Sequence, residues 1–161
     1  MSKRGGFKQN MELKRLIILI YFIFFTLPAY GELINPSKGL KPYNVLKIQL
    51  EALKKNNQKD EGIRQTWIFA HPDNKKVTGP YERFKTMIYG EQYKHLLNHA
   101  SHKIELVMNN TDRFIYKIEI LTNEKQLFFY EWHVQKGSDK NCKNCWFTSV
   151  VSQPVNQGNT I

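Results

Sequence analysis

Cys142 and Cys145 stand with two residues between them, the spacing of a redox dithiol or of half a zinc site. A redox pair works at a helix N-terminus, where the dipole favours the thiolate. This pair lies instead in a loop that leads into strand-forming residues. Zinc wants about four ligands, and the chain has no other cysteine. Adding His133 would leave an open, incomplete set. In an oxidising compartment the two thiols are expected to form a disulfide that pins a hairpin. His95 and His99 are spaced i, i+4, and His102 follows closely. That is the spacing of a metal pair, with Glu91 or Glu105 as a conceivable third ligand. The run lacks the central glutamate of the zinc-protease pattern. The expected roles are therefore structural, one histidine packed and hydrogen-bonded and the others facing water. No metal and no cofactor is expected.

A second set of residues points to a pocket. Tyr116, Tyr130, Trp132 and His133 fall on strand-like runs and are expected to line a concave sheet face, the kind of apolar pocket that carries a few polar groups. Glu131 and His133 share one strand and one side of it, so an isomerase- or hydratase-like acid–base pair is an alternative. A filled aromatic core accounts for the same residues equally well.

These residues must be positioned by helices first and strands afterwards. Pro42 opens a helix over residues 42–55, with Val45, Ile48, Gln49 and Ala52 on one face and Leu46, Leu50 and Leu53 beside it. After the polar break 56–59, Asp60 is expected to cap a second helix that carries Ile63, Trp67 and Ala70 and ends before Pro72. Residues 73–76 read as a loop. Pro80 opens a third helix with Tyr81, Phe84, Met87 and Ile88 inward and Gly90 at its end, followed by a short helical piece over 91–97. From His102 the period becomes two. Strands are expected over 102–108, 114–120, 127–135 and 145–151, separated by polar turns and by the longer loop 136–144. The fold class is α+β, helices packed on a curved four-stranded antiparallel meander, a half-open cone; a flat cystatin-like sheet under one long helix is the alternative. The polar tail 155–161 is expected to fray.

The compartment follows from the start of the chain. Residues 16–27 read LIILIYFIFFTL behind Lys14 and Arg15, and Pro28 and Ala29-Tyr30-Gly31 follow. That is the pattern of a signal peptide cleaved after Gly31, too short to span a bilayer. Translation could start at Met1 or at Met11. Residues 32–41 form a turn-rich leader, and 42–154 one domain. Export to a periplasm, lumen or extracellular space is expected, with membrane contact only through the signal peptide before cleavage. The formal charge of +10 falls to about +6 once residues 1–31 are removed. The lysines are scattered, no basic-aromatic nucleic-acid motif appears, and nucleic acid is not an expected partner.

Residues 50–99 contain LEALKKNN, DEGI, FAHPDN, TGPYERFKTM and YKHLLNH, and a late NCW follows. This pattern resembles the domain-of-unknown-function family 4864 of bacteria and plants. The resemblance implies a fold similar to nuclear-transport-factor-two-like cones and structural roles for Thr78, Gly79, Pro80, Arg83, Phe84 and His99. Arg83 is expected in a structural ion pair, with anion binding as the second reading. His71 stands where the family usually has serine, residues 56–59 lengthen a linker, and Cys142 is an addition. The family carries no reaction to transfer. The expected function is non-catalytic binding of a small apolar ligand or a protein partner through the cone mouth, with a homodimer as a further expectation of the fold and a redox or metal role as an alternative.

Overall fold

The computed structural model describes residues 32–159. The chain divides into two units, residues 1–33 and residues 34–161. The expected signal peptide and the choice of start codon lie outside the described residues. No described helix is long and apolar enough to cross a membrane.

The second unit is α+β. Four helices, α1 (Pro42–Lys54), α2 (Glu61–Ile68), α3 (Pro72–Thr78) and α4 (Tyr81–Tyr89), and a 3-10 turn (Lys94–Leu96) precede five antiparallel strands. These are β1 (Ser101–Asn109), β2 (Arg113–Leu121), β3 (Gln126–Gly137), β4 (Cys145–Val151) and β5 (Val155–Asn159). The sheet runs β1-β2-β3-β4, with β5 also on β3, and is not closed into a barrel. The helices cover one face. Alternate residues of β2 and β3, among them Tyr116, Ile118, Ile120, Tyr130, Trp132 and Val134, meet Val45, Leu46, Leu50, Leu53, Phe84 and Ile88 there.

α1 forms because its buried stripe, Val45, Leu46, Gln49, Leu50 and Leu53, repeats at helical spacing behind a first-turn proline. α2 is capped differently from the expectation. Asp60 adopts a left-handed conformation (φ 58°) and makes no cap bond. Its carboxylate turns to Lys85 Nζ at 2.7 Å and to the Tyr89 hydroxyl on α4. The cap comes from the polar break instead: Asn56 Oδ1 accepts from the Ile63 amide and Asn57 Oδ1 from that of Glu61. Residues 73–76 are not a loop. Pro72 starts α3, and His71 Nδ1 accepts from the Asp73 amide at its N-terminus. Pro80 precedes α4 rather than opening it, after a cis Gly79–Pro80 bond.

The tail is a correction too. β4 and β5 lie end to end along the same edge of β3, from Gly137↔Cys145 to Gln126↔Asn159. Across the break, Ser152 keeps the ladder: its amide donates to Glu131 O and its Oγ accepts from the Glu131 amide. A fifth strand therefore stands where a frayed tail was expected, because β3 is long enough to pair with both segments.

Cys142 and Cys145 form the expected disulfide. With buried Phe147 they make a second small apolar cluster. The His71 ring fills the space over Gly137, where an added Cβ would come within 2.4 Å of Nε2. The loop also holds itself: Asp139 Oδ1 accepts from the amides of Asn141 and Cys142, and Ser138 Oγ from that of Asn144. Such a small ring removes little unfolded-state entropy, about 2 kcal/mol at most. Replacing both cysteines by serine is expected to lower stability by no more than that in urea unfolding, leaving the sheet intact by amide exchange. A chain that no longer folds would contradict this.

Candidate functional site

Between the helices and the sheet lies a cavity of about 80 Å³. One water needs roughly 10–15 Å³ on this scale, so the space suits a small molecule. Its apolar wall is built by helical spacing. Leu53 comes from α1, and Phe84, Met87 and Ile88 come from one face of α4. Leu96, Trp132 and Val151 complete the wall, and Ala70 faces it from the segment that joins α2 to α3.

The polar part of the lining is Asn74 and Thr78 from α3 and a buried relay. Trp132 Nε1–H donates to Thr148 Oγ1 at 2.9 Å. The Thr148 hydroxyl donates to Gln49 Oε1 at 2.5 Å. Gln49 Nε2 donates to Thr66 O at 3.1 Å. The relay thus ties β3 and β4 to α1 and α2, and each of these groups avoids the cost of an unpaired buried dipole. Thr148 is held from its other side as well. Its amide donates to Phe69 O and its carbonyl accepts from the His71 amide, an isolated parallel bridge at Ala70. The lining contains no Asp, Glu, His, Lys or Arg. Its one phenol, Tyr93, donates to Val151 O at 3.2 Å, and burial raises its pKa.

Of the residues expected to line a pocket, Trp132 alone lines this cavity. Tyr116 and Tyr130 are packed into the core. Tyr130 donates to Gln92 O at 3.0 Å, and burial pushes the Tyr116 hydroxyl up to about 12. His133 does not share their face. It pairs in register with Ile115 on the side away from the helices, where its Nε2 lies 2.5 Å from Glu131 Oε1. Successive side chains alternate across a strand, which separates His133 from Trp132. The Glu131–His133 pair therefore stands outside this cavity.

Arg83 is exposed, and among the described residues it forms no ion pair with a carboxylate, against the expectation. Thr78, Gly79 and Pro80 build the α3–α4 turn, and Phe84 follows it on α4. Thr78 Oγ1 donates to Asn74 O, the Gly79 amide donates to Lys75 O, and Phe84 packs on Trp67 with ring centres 5.0 Å apart.

The histidines divide. The ring of His95 stacks on Phe128 at 3.9 Å. His99 is buried, with Nδ1 2.8 Å from Leu96 O and Nε2 2.7 Å from His102 Nδ1. Leu96 O only accepts, so His99 carries its proton on Nδ1 and receives one from His102 at Nε2. His95 and His99 also line a shallow polar depression with Lys94, Asn98 and Glu124. Among the described residues no group of three His, Cys, Asp or Glu is placed to hold a metal ion.

Burial, aided by His102 and Lys54, depresses the His99 pKa to about 4, against an opposing pull from Leu96 O and Glu51. An unfolded histidine takes up its proton near 6.5. Protons therefore favour the unfolded chain between those values. The stability from neutral His99 is complete above pH 6.5 and is lost as pH falls toward 4. His102, depressed chiefly by burial, acts in the same direction. Roughly 2 kcal/mol should disappear between pH 7 and pH 5 in urea titrations. A His99→Asn variant should flatten that slope. An unchanged slope in the variant would contradict the assignment.

The chain matches no family model, no curated protein and no solved structure.

Proposed function

We propose that this is an exported, non-catalytic domain that binds a small, mainly apolar molecule carrying one hydrogen-bonding group, in the cavity between α1, α4 and the sheet. The cavity itself carries the reading: a mainly apolar wall with a polar relay at Gln49 and Thr148, Asn74 and Thr78 as further polar lining, and no titratable acid or base suited to proton transfer near pH 7. Such a lining orients a ligand and offers no general acid or base. The disulfide is compatible with an oxidising compartment, and the apolar start of the chain supports export. The motif resemblance to family 4864 and to nuclear-transport-factor-two-like cones fits the same picture, since folds of that plan often hold an apolar pocket.

Benzyl alcohol, an apolar ring with one hydroxyl, is a suitable probe. The indole N–H resonance of Trp132, assigned with a Trp132→Phe variant, should shift saturably as it is added. Ala70→Leu, which fills the space from the cavity wall, should abolish the shift while the rest of the amide spectrum persists. No saturable shift, or the same shift in the filled variant, would contradict the reading.

A further inference from the structure

The two edges of the sheet differ. On the β4/β5 side, residues 153 and 154 interrupt pairing, with Pro154 in the gap, and residues 69–71 cover Thr148. The β1 edge has neither proline nor a covering segment among the described residues. An uncovered, proline-free edge is a template for another strand.

The direction of its backbone groups can be followed. In an antiparallel ladder every second residue turns both N–H and C=O to the same neighbour. The carbonyls of Arg113 and Leu121 both face β1, accepting from Asn110 and Ala100. The odd-numbered residues of β2 therefore bond toward β1. Opposite Leu121, Glu119 and Lys117 stand Ser101, Lys103 and Glu105. Those three are engaged with β2, which leaves the backbone groups of His102, Ile104 and Leu106 pointing to the open edge.

We propose that this edge pairs antiparallel with the same edge of a second copy, about a twofold axis at Ile104. Ile104 then meets its own symmetry mate, and His102 meets Leu106 of the second copy, about six backbone hydrogen bonds in all. The occupant follows from charge. In this register Lys103 faces Glu105 of the second copy, and Glu105 faces its Lys103. Registers centred on any other residue from 102 to 106 do not bring these two together. The pairing also continues a pattern already present in the sheet. Lys103 lies 3.7 Å from Glu119, and Glu105 pairs in register with Lys117, which pairs with Glu131. Signs then alternate across the join: Glu131, Lys117, Glu105, then Lys103 and Glu119 of the second copy. Opposite charges directly across strands stabilise, and like charges do the reverse. Leu106, half exposed at 50%, gains cover. The bulge between Leu106 and Met108 ends the regular stretch and fixes the register. A twofold interface of this kind is isologous, so each variant changes both charge contacts at once.

Sedimentation equilibrium of the exported protein should give twice the mass of one copy of that protein. Lys103→Glu alone, or Glu105→Lys alone, should weaken association about tenfold. The double swap should restore it to within about threefold of the starting affinity. A purely internal role for these charges predicts the reverse, because within each chain the Lys103→Glu change opposes Glu119 and the Glu105→Lys change opposes Lys117. Thermal unfolding of each variant confirms that it is folded. A monomer up to roughly 0.5 mM, far above the range of stable homodimers, would overturn the proposal. So would a dimer indifferent to the single changes, which would place the contact on the sheet face, or a double swap weaker than either single variant.

Discussion

Gly62→Ala is expected to destabilise the fold by about 3 kcal/mol or more. Gly62 lies in the first turn of α2, where that helix crosses the last turns of α1. A Cβ there would stand 2.1 Å from Ala52 O and 2.9 Å from Asn56 Oδ1. The first is backbone, so no side chain can swing aside. Relief requires α2 to move off α1, which breaks the Asn56–Ile63 cap and strains the Gln49–Thr66 bond. Helix propensity alone predicts the opposite sign, since alanine in a helix is favoured over glycine by about 1 kcal/mol. Urea unfolding therefore decides between close packing and propensity. A gain in stability, or no change, would mean that α1 and α2 are further apart than described.

Thr148→Val should cost about 3 kcal/mol, although valine has nearly the same shape. The hydroxyl it removes is both acceptor for Trp132 Nε1–H and donor to Gln49 Oε1. Two buried polar groups lose a partner, at roughly 1–3 kcal/mol each. Thr148→Ser keeps the hydroxyl and should recover most of the loss, less about 1 kcal/mol for the missing methyl. Equal losses in the two variants would show that packing, and not the relay, accounts for Thr148. Both variants are also informative for binding, because the relay supplies part of the polar cavity lining.

The strands were legible because their alternation is clean. Ile104, Ile118, Tyr130 and Trp132 fall on the helix-covered face, and β4 begins and ends where its residue types suggested. The helices were harder. Asp60 is a good cap by residue type, yet a left-handed backbone and the pull of Lys85 and Tyr89 take its carboxylate elsewhere. Pro72 reads equally as the end of one helix or the start of the next, and α3 is a short helix with no buried residue to mark it, capped locally by His71, which is not among the usual capping residues. β5 could not be read from its own polar residues, because its order comes from the spare length of β3.

The site was legible only in outline. A glutamine on the apolar stripe of α1 was the one local signal, and Gln49 is indeed almost fully buried. Its partner Thr148 lies 99 residues away, and no spacing along the chain announces that contact. Grouping pocket residues by aromatic character puts His133 beside Trp132, but the alternation of β3 divides the two between opposite faces. Arg83 matched a motif and sits on the surface all the same, since the preceding Gly79 and Pro80 shape the turn without it.

The most direct test of ligand binding is native mass spectrometry of the chain purified from an exporting host, beside its Ala70→Leu variant. The account predicts a small-molecule adduct on the native protein that the filled variant lacks, both at the mass of the disulfide-bonded chain. Bare protein in both preparations, with no adduct after incubation with benzyl alcohol, would contradict it.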